Sequence, residues 1–228
     1  MTASVLLFAA GFGTRMGALT ADRPKPLIEV AGTPLIDHAL ALAEAVKPPR
    51  IVANLHYKAQ MLADHLASKG VITSLEWPEI LETGGGLRQA LPLLGPDPVM
   101  TLNPDVIWSG PNPLALLLSA WDPARMDGLL LCLPPDQTVG RSGPDDFTVS
   151  QEGRLSRGPG VVYGGAQILK TDMLSDIPDK AFSLNVLWDR MIARNRLSGL
   201  RYPGKWCDVG RPEGIALAER LIREPGDV

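Results

Sequence analysis

The chain has 228 residues, enough for one large domain with a substantial hydrophobic core. Its 22 basic and 25 acidic side chains give a formal net charge of −3, which argues against a protein that mainly neutralises nucleic-acid phosphates or an anionic membrane surface. No apolar run approaches the ~18 residues of a membrane span and the first residues lack a basic signal segment, so we expect a cytoplasmic protein without nucleic-acid or membrane partners.

Short apolar runs alternate with helical patterns over the first 130 residues. The runs are typical of strands buried on both faces of a parallel sheet. Because strands and helices alternate, we predict an α/β fold with a Rossmann-like, mixed but mainly parallel sheet flanked by helices. The predicted strands are 5–9, 51–54, 71–75, 99–102 and 129–133. The predicted helices are 35–46, 58–67, 85–94 and 113–121.

The second half of the chain has a different pattern. Residues 134–160 are polar and rich in turns, and the strands predicted at 147–149 and 161–169 need not continue the crossover rhythm. We therefore expect an antiparallel excursion within the mixed sheet. Two further helices are predicted at 183–195, with Ser183 as its N-cap, and at 212–222.

A glycine loop follows the first predicted strand. Its glycines stand at positions 11, 13 and 17, whereas a dinucleotide-binding fingerprint needs its third glycine at 16, and the P-loop pattern is absent. Small residues at the carboxyl end of a strand let backbone N–H groups approach phosphate oxygens. The loop indicates an anion site, and a tight strand-to-helix turn is the alternative.

Residues 11–26 carry three cations against a single anion. This local charge of +2 in an acidic protein suits a polyphosphate. Arg15 can chelate phosphate oxygens as a planar fork, and Lys25 can act as a mobile point charge. Since Pro24 and Pro26 restrict the backbone on both sides of Lys25, we predict an extended segment there.

These motifs together resemble the signature of the sugar-1-phosphate nucleotidylyltransferases. The matching segments are L-x-A-A-G-x-G-T-R-M at 7–16 and P-K-P-L at 24–27. The resemblance implies the nucleotide-diphospho-sugar transferase type of fold, with Arg15 on the triphosphate and Lys25 on the reacting phosphates. It places a nucleoside triphosphate against Ala10, Gly11, Gly13, Thr14, Arg15 and Lys25.

Two aspartates are candidates for a metal site. Asp105 follows the strand predicted at 99–102, where open α/β sheets bind ligands, and Asp208 lies in W-C-D-V-G at 206–210. From the residues alone, each is also explained by a turn or a helix cap. The resemblance implies that both hold Mg²⁺ and that Asp105 is catalytic with Arg15 and Lys25. The chain departs from the usual N-G-D segment, because Pro104 replaces the glycine.

The run L-E-T-G-G-G at 81–86 marks a helix entrance. In a helix interior each glycine is less stable than alanine by about 1 kcal/mol, so three glycines in a row need a reason. Either a flat ligand approaches the backbone closely at this point, or the segment is a flexible turn. The resemblance implies that Glu82, Thr83 and Gly84 contact the nucleobase. The run is most similar to the short branch of the family that uridylylates N-acetylmuramate α-1-phosphate in bacterial peptidoglycan recycling.

The sugar side of the site gives weaker signals. Gly165 lies in V-Y-G-G-A at 162–166, which is similar to the strand that lines the family's sugar pocket. Asn185, Asp146 and Glu152 are further candidates to bind the sugar, and local hydrogen bonding within the chain explains each equally well.

We therefore expect an enzyme that transfers a nucleotidyl group from a nucleoside triphosphate, UTP, to a sugar 1-phosphate, N-acetylmuramate α-1-phosphate, with Mg²⁺ as cofactor. It would be one domain, 1–228, with a nucleotide-binding half at 1–130 and a sugar-binding half at 131–228, as a monomer or homodimer. The enzyme alternatives are a mannose-1-phosphate guanylyltransferase and a glucose-1-phosphate thymidylyl- or uridylyltransferase. A regulatory protein that binds nucleotide or sugar is the non-enzyme alternative. A dinucleotide-dependent oxidoreductase is disfavoured by the glycine spacing.

We predict that the cysteines and histidines have structural roles rather than catalytic or metal-binding ones. Cys132 and Cys207 share no C-x-x-C spacing and are predicted to be buried thiols. His38, His56 and His65 lie within or beside helical patterns and share no metal-binding spacing.

Overall fold

The computed structural model describes residues 2–224, in which strands and helices alternate as the sequence predicts. The strands are β1 (Ser4–Phe8), β2 (Glu29–Val30), β3 (Thr33–Pro34), β4 (Ile51–Leu55), β5 (Ile72–Leu75), β6 (Val99–Leu102), β7 (Val106–Ser109), β8 (Gly128–Leu133), β9 (Thr138–Val139), β10 (Phe147–Val149), β11 (Leu155–Arg157), β12 (Val162–Leu169), β13 (Leu197–Arg201) and β14 (Lys205–Asp208). The α-helices are α1 (Leu35–Ala45), α2 (Ala59–Leu66), α3 (Glu82–Leu94), α4 (Pro113–Ala120), α5 (Asn185–Ala193) and α6 (Pro212–Arg223).

A seven-stranded sheet forms the centre of the fold, in the order β13-β8-β12-β6-β1-β4-β5. β12 runs antiparallel to both of its neighbours, β6 and β8, and the other neighbouring pairs are parallel. The predicted α/β class, the mixed but mainly parallel sheet and the antiparallel excursion are therefore confirmed.

β1 shows why the apolar runs form central strands. Its side chains alternate between the two faces: Val5 and Leu7 pack in one core with Ile36 of α1, and Leu6 packs in the other with Leu87 of α3. A strand covered on both faces needs apolar residues at every position. Burying a side chain of this size contributes about 1.5–3 kcal/mol. The central strands are thus fixed in register by packing on both sides.

A smaller sheet, in the order β7-β14-β9, completes the edge of the fold that holds the site. β14 pairs antiparallel with β7, and this register sets Asp208 opposite Val106, the residue after Asp105. The backbone N–H of Val209 donates to the carbonyl oxygen of Asp105 at 2.9 Å. Because of this pairing, two aspartates about a hundred residues apart lie beside each other.

Several boundaries differ from the sequence prediction. The third helix begins at Glu82 rather than at residue 85, so the three glycines lie inside it. The fifth helix begins at Asn185, with Leu184 in the N-cap position, although the hydroxyl of Ser183 still accepts a hydrogen bond from the N–H of Asn185 at 3.2 Å. Seven strands were not predicted: β2, β3, β7, β9, β11, β13 and β14. Most of them have two to four residues, and β13 contains Gly199, which weakens its strand pattern. No helix in the described part of the chain combines the length and apolar character needed to cross a membrane.

Candidate active site

The glycine loop follows β1 at the carboxyl edge of the sheet. Gly13 adopts a left-handed conformation, φ 64°, and a methyl group there would lie 2.8 Å from Cβ of Lys25. Gly13 is therefore required by the fold itself. A methyl group on Gly11, in contrast, would have no protein atom within 4 Å. The space beside Gly11 is thus open to a ligand.

Lys25 joins this loop to the end of β6. Its Nζ donates to Oδ2 of Asp105 at 2.6 Å, and the Lys25 side chain is 10% exposed. The expected extended segment is wrong: Lys25 starts a short 3₁₀ turn, Lys25–Leu27, in which Leu27 N–H donates to the carbonyl of Pro24. The fixed φ of Pro26 suits such a turn as well as it suits an extended chain.

Two adjoining cavities open along the carboxyl ends of β1 and β6. The first, of about 300 Å³, follows the glycine loop, and the second, of about 200 Å³, leads toward the start of α3. Phe8, Gly11 and Asp105 line both cavities, which together form one cleft. The other predicted nucleotide-binding residues that line this cleft are Ala10, Gly13, Thr14, Arg15, Lys25, Glu82 and Thr83.

Asp208 and Asp105 form a pair of carboxylates at this cleft. Burial raises the pKa of Asp208, the Asp105 charge raises it further, and Lys25, Arg15 and Arg141 offset part of the increase. No residue among 2–224 donates a hydrogen bond to the Asp208 carboxylate. A partly buried carboxylate without a hydrogen-bond donor, beside a second carboxylate, is the kind of donor set that a divalent cation stabilises.

The two aspartates fit Mg²⁺ in particular. Within residues 2–224, no three His, Cys, Asp or Glu side chains are grouped to enclose a metal ion. Mg²⁺ does not need such a cage, because it is usually held by one or two carboxylates while water and substrate phosphates supply the remaining oxygens. The adjoining Gly210 lines the first cavity, and a methyl group there would lie 2.9 Å from Oδ1 of Asp208.

The glycines at 84–86 have a different cause from the close ligand approach that the sequence indicated. The backbone N–H groups of Gly84 and Gly85 both donate to the carbonyl of Phe182, and a methyl group on Gly84 would overlap the Phe182 ring. Gly84 also does not line either cavity of the cleft. Small residues are needed at 84 and 85 because α3 packs directly against the chain before α5, and at 86 because a methyl group would lie 2.5 Å from Oε1 of Glu76.

A buried polar pair, which the sequence analysis missed, supports the wall of the second cavity. Asn54 donates from Nδ2 to Oε1 of Glu76 at 2.6 Å, and its Oδ1 accepts from the N–H of Ala9 at 2.8 Å. Oε2 of Glu76 accepts from the N–H of Leu81 at 2.7 Å. Glu76 is fully buried. The sequence carried one signal for this pair: Asn54 stands near the end of β4, and Glu76 directly follows the neighbouring strand β5.

The structure separates the four sugar-side candidates. Gly165, φ 89°, lies at the irregularity in β12, and a methyl group there would lie 3.0 Å from Cβ of Asn103, which lines the second cavity. Asp146 accepts from Arg141 at 3.0 Å and from the N–H of Tyr163 at 2.9 Å. Gly165 therefore lies beside the cleft, and Asp146 is joined to β12 two residues before Gly165.

Asn185 and Glu152 are not shown to reach the cleft. Asn185 is exposed and bonded to Ser183 and Arg157. Glu152 accepts from the Ser150 hydroxyl in the β10–β11 turn, and the next residue accepts from the N–H of Gly199 in β13. That turn lies toward the amino end of β13, which is the opposite edge of the sheet, so the structure does not bring Glu152 to the other candidates.

The cysteines and histidines have local roles. Cys132 and Cys207 are free and buried, as predicted. The histidine rings contact three separate partners: His38 the carbonyl of Val30, His56 the carbonyl of Glu76 and His65 the carboxylate of Asp37.

Comparison with known proteins gives consistent results. The profile of the MobA-like NTP transferase domain family matches residues 5–138. The chain is 39% identical over 233 residues to the N-acetylmuramate alpha-1-phosphate uridylyltransferase of Caulobacter vibrioides, covering 96% of each chain. It is 31% identical to the protein of the same name in Neisseria meningitidis, covering 95% of this chain and 96% of that protein.

The fold is also shared with solved structures. HddC from Yersinia pseudotuberculosis, crystallised in complex with GMP-PN, has a TM-score of 0.78 at 22% identity, covering 97% of this chain and 100% of that chain. At this identity the likeness concerns the fold.

Proposed function

The chain belongs to the MobA-like NTP transferase family, and from that premise we propose that it transfers UMP from UTP to N-acetylmuramate α-1-phosphate, releasing pyrophosphate. Its general activity is that of the related enzymes: nucleotidyl transfer to a sugar 1-phosphate, which gives a nucleotide sugar. The choice of UTP and of the muramate acceptor is supported by similarity along nearly the whole chain to two proteins with that name. A cytoplasmic role in peptidoglycan recycling belongs to the same proposal.

The mechanism rests on one observation: Lys25 bonds to Asp105, which follows β6, and Asp105 lies beside Asp208 at the end of β14. Lys25 uses one of its three N–H donors on Asp105, which leaves two for phosphate oxygens. Arg15 lies on the glycine loop and lines the first cavity, where it can bind the outer phosphates. Asp105 and Asp208 would hold Mg²⁺, which supplies positive charge to the phosphates when it is bound.

The reaction needs no general base. The acceptor phosphate is already ionised at neutral pH, so its oxygen forms the new bond to the α-phosphorus as the bond to the pyrophosphate oxygen breaks. The chain therefore contributes positioning and charge stabilisation. Thr83 and Glu82 would contact the base from the second cavity, whose residues also include Ala10.

The test is pyrophosphate release measured over four nucleoside triphosphates and a panel of sugar 1-phosphates, with Mg²⁺ and with a chelator. We expect the highest kcat/KM for UTP with N-acetylmuramate α-1-phosphate and no turnover with the chelator. Preference for GTP with mannose 1-phosphate, or for another pair, would reject the proposed substrates. Absence of pyrophosphate release with every pair would reject the activity.

The roles of the site residues need single variants. Arg15→Ala, Lys25→Ala and Asp105→Asn are each expected to lower kcat by at least about 100-fold. The first two remove positive charge at the reacting phosphates, and the third removes a carboxylate that would hold Mg²⁺. Arg23→Ala is the matched control: Arg23 is an exposed cation of the same segment and does not line the cleft. Near-normal rates in all three site variants would refute the mechanism.

A further inference from the structure

Arg141 is a cation that lies beside the candidate metal ligands and has no part in the mechanism proposed above. It follows β9, which pairs in parallel with β14 so that Val139 lies opposite Cys207. The next residue, Gly140, is in a left-handed conformation, φ 74°, and a methyl group there would lie 2.5 Å from the carbonyl oxygen of Asp208. The chain therefore leaves β9 against Asp208 and continues directly into Arg141.

The guanidinium of Arg141 is held in place by two hydrogen bonds, and its other N–H groups have no acceptor in the described part of the chain. Nη1 donates to the carbonyl of Pro144 at 2.8 Å, and Nη2 donates to Oδ2 of Asp146 at 3.0 Å. The same Asp146 oxygen accepts from the N–H of Tyr163, two residues before Gly165. A guanidinium has five N–H donors, and the other three of Arg141 meet no acceptor within residues 2–224. The side chain is 19% exposed, so part of it is accessible to a ligand.

The charges around the cleft indicate which ligand that is. The chain that carries Arg141 leaves β9 against Asp208, so Arg141 adds a cation on the side of the site where Asp208 lies. Lys25 is paired with Asp105, and Arg15 lies on the glycine loop. An acceptor phosphate must approach a second, highly charged phosphate, and it needs positive charge of its own to do so. Arg141 follows β9 beside Asp208 and is joined through Asp146 to Tyr163 of β12, and it can supply that charge there.

We propose that Arg141 binds an anionic group of the acceptor sugar 1-phosphate through its free N–H donors. This inference rests on the function proposed above. The group is the phosphate or, in N-acetylmuramate, the carboxylate of the lactyl ether, since the planar fork of an arginine suits both. N-acetylglucosamine 1-phosphate has the same phosphate without that carboxylate, and therefore separates the two sources.

The test compares Arg141→Gln and Arg141→Lys with the wild-type chain. Binding of N-acetylmuramate 1-phosphate, N-acetylglucosamine 1-phosphate and UTP is measured by isothermal titration calorimetry, and turnover is measured separately by pyrophosphate release. Arg154→Gln is the control, because Arg154 also donates to a carbonyl and a side chain but lies at the amino end of β13.

We expect Arg141→Gln to raise the Kd of the muramate acceptor about 10- to 100-fold, while the Kd of UTP stays within about threefold. Arg141→Lys, which keeps the charge, should recover part of this loss, whereas a merely structural role would leave it unrecovered. An equal loss for N-acetylglucosamine 1-phosphate assigns the contact to the phosphate, and a smaller loss assigns it to the carboxylate. An unchanged acceptor Kd, or an equal loss of UTP binding, would overturn the inference. Wild-type protein that binds both substrates without releasing pyrophosphate would reject the proposed function, and the Kd comparison would still decide the role of Arg141.

Discussion

The side-chain amide of Asn54 donates to the carboxylate of Glu76 across 2.6 Å in the interior of the protein. Through the other atoms of the two side chains, this pair links the N–H of Ala9, before the glycine loop, to the N–H of Leu81, before α3. The glycine-loop side and the α3 side of the cleft are thus joined by one buried chain of hydrogen bonds.

Glu76→Gln is expected to weaken both stability and nucleotide binding. The new NH₂ group would face either Asn54 or the N–H of Leu81, both of which are donors, so one buried partner is left unsatisfied at a cost of about 1–3 kcal/mol. Urea unfolding should show this loss, and the KM of the nucleoside triphosphate should rise because Leu81 precedes Glu82 and Thr83, which line the second cavity.

Glu79→Gln is the matched control for this prediction, since Glu79 is exposed and lies three residues away. It should leave both the unfolding midpoint and the KM unchanged. If Glu76→Gln behaves like this control, the buried chain of hydrogen bonds does not position the cleft.

Gly11 and Gly13 of the glycine loop should respond differently to replacement by alanine. Gly13→Ala forces a left-handed alanine, at about 1–2 kcal/mol, and brings Cβ to 2.8 Å from Lys25, so we expect a lower melting temperature. Gly11→Ala meets no protein atom within 4 Å and should melt like the wild type. Its methyl group nevertheless enters the cleft, so its KM for the nucleoside triphosphate should rise at least about 10-fold. Equal melting temperatures for both variants, or an unchanged KM in Gly11→Ala, would contradict this account.

The sequence was sufficient for those features that depend on local pattern. β1 and the glycine loop were predictable because an all-apolar run followed by glycines indicates both a buried strand and an anion site at its end. The approach of Asp105 to Asp208 was expected only from the family resemblance, because it depends on the pairing of β7 with β14, and β7 was not recognised.

Features that depend on distant partners were not predictable. The glycines at 84–86 point equally to a ligand or to a turn. Nothing local reveals that Gly84 packs against Phe182 and Gly86 against Glu76. Glu76 resembles any carboxylate in a polar loop until Asn54, 22 residues earlier, is placed beside it. Arg141 was one charge in a turn-rich segment, and only the pairing of β9 with β14 brings that segment beside Asp208.

The buried thiols should be unreactive in the folded protein. Burial raises the pKa of Cys132 to about 12 and that of Cys207 to about 12, with smaller increases from Asp146 and Asp208 respectively. Near pH 8 only about one thiol in ten thousand is then ionised, and the thiolate is the reactive form. Titration with a chromogenic disulfide should detect both thiols in denaturant and almost none without it. Rapid labelling of the native protein would show that one of these sites opens.

Asp127 is expected to make stability depend on acid pH. Its Oδ1 accepts from Lys170 at 2.9 Å and from Arg196 at 3.0 Å, which joins the end of β12 and the start of β13 to β8. Burial alone would raise the pKa of Asp127, but the hydrogen bonds from Arg196 and Lys170 outweigh it and lower that pKa. Because the folded pKa is lowered, the stabilisation is fully present above the unfolded pKa of ~3.9 and is lost as the pH falls through the folded value.

Asp127→Asn tests this dependence. At neutral pH it should lower the free energy of unfolding by about 2 kcal/mol, because two cations lose a charged acceptor. Urea unfolding measured as a function of pH should show the difference from the wild type shrinking below about pH 4, once the wild-type carboxylate is protonated as well. Asp64→Asn, on an exposed helix face, is the control and should change little at any pH. A difference that stays constant into strong acid would mean that Asp127 stabilises the fold by packing rather than by charge.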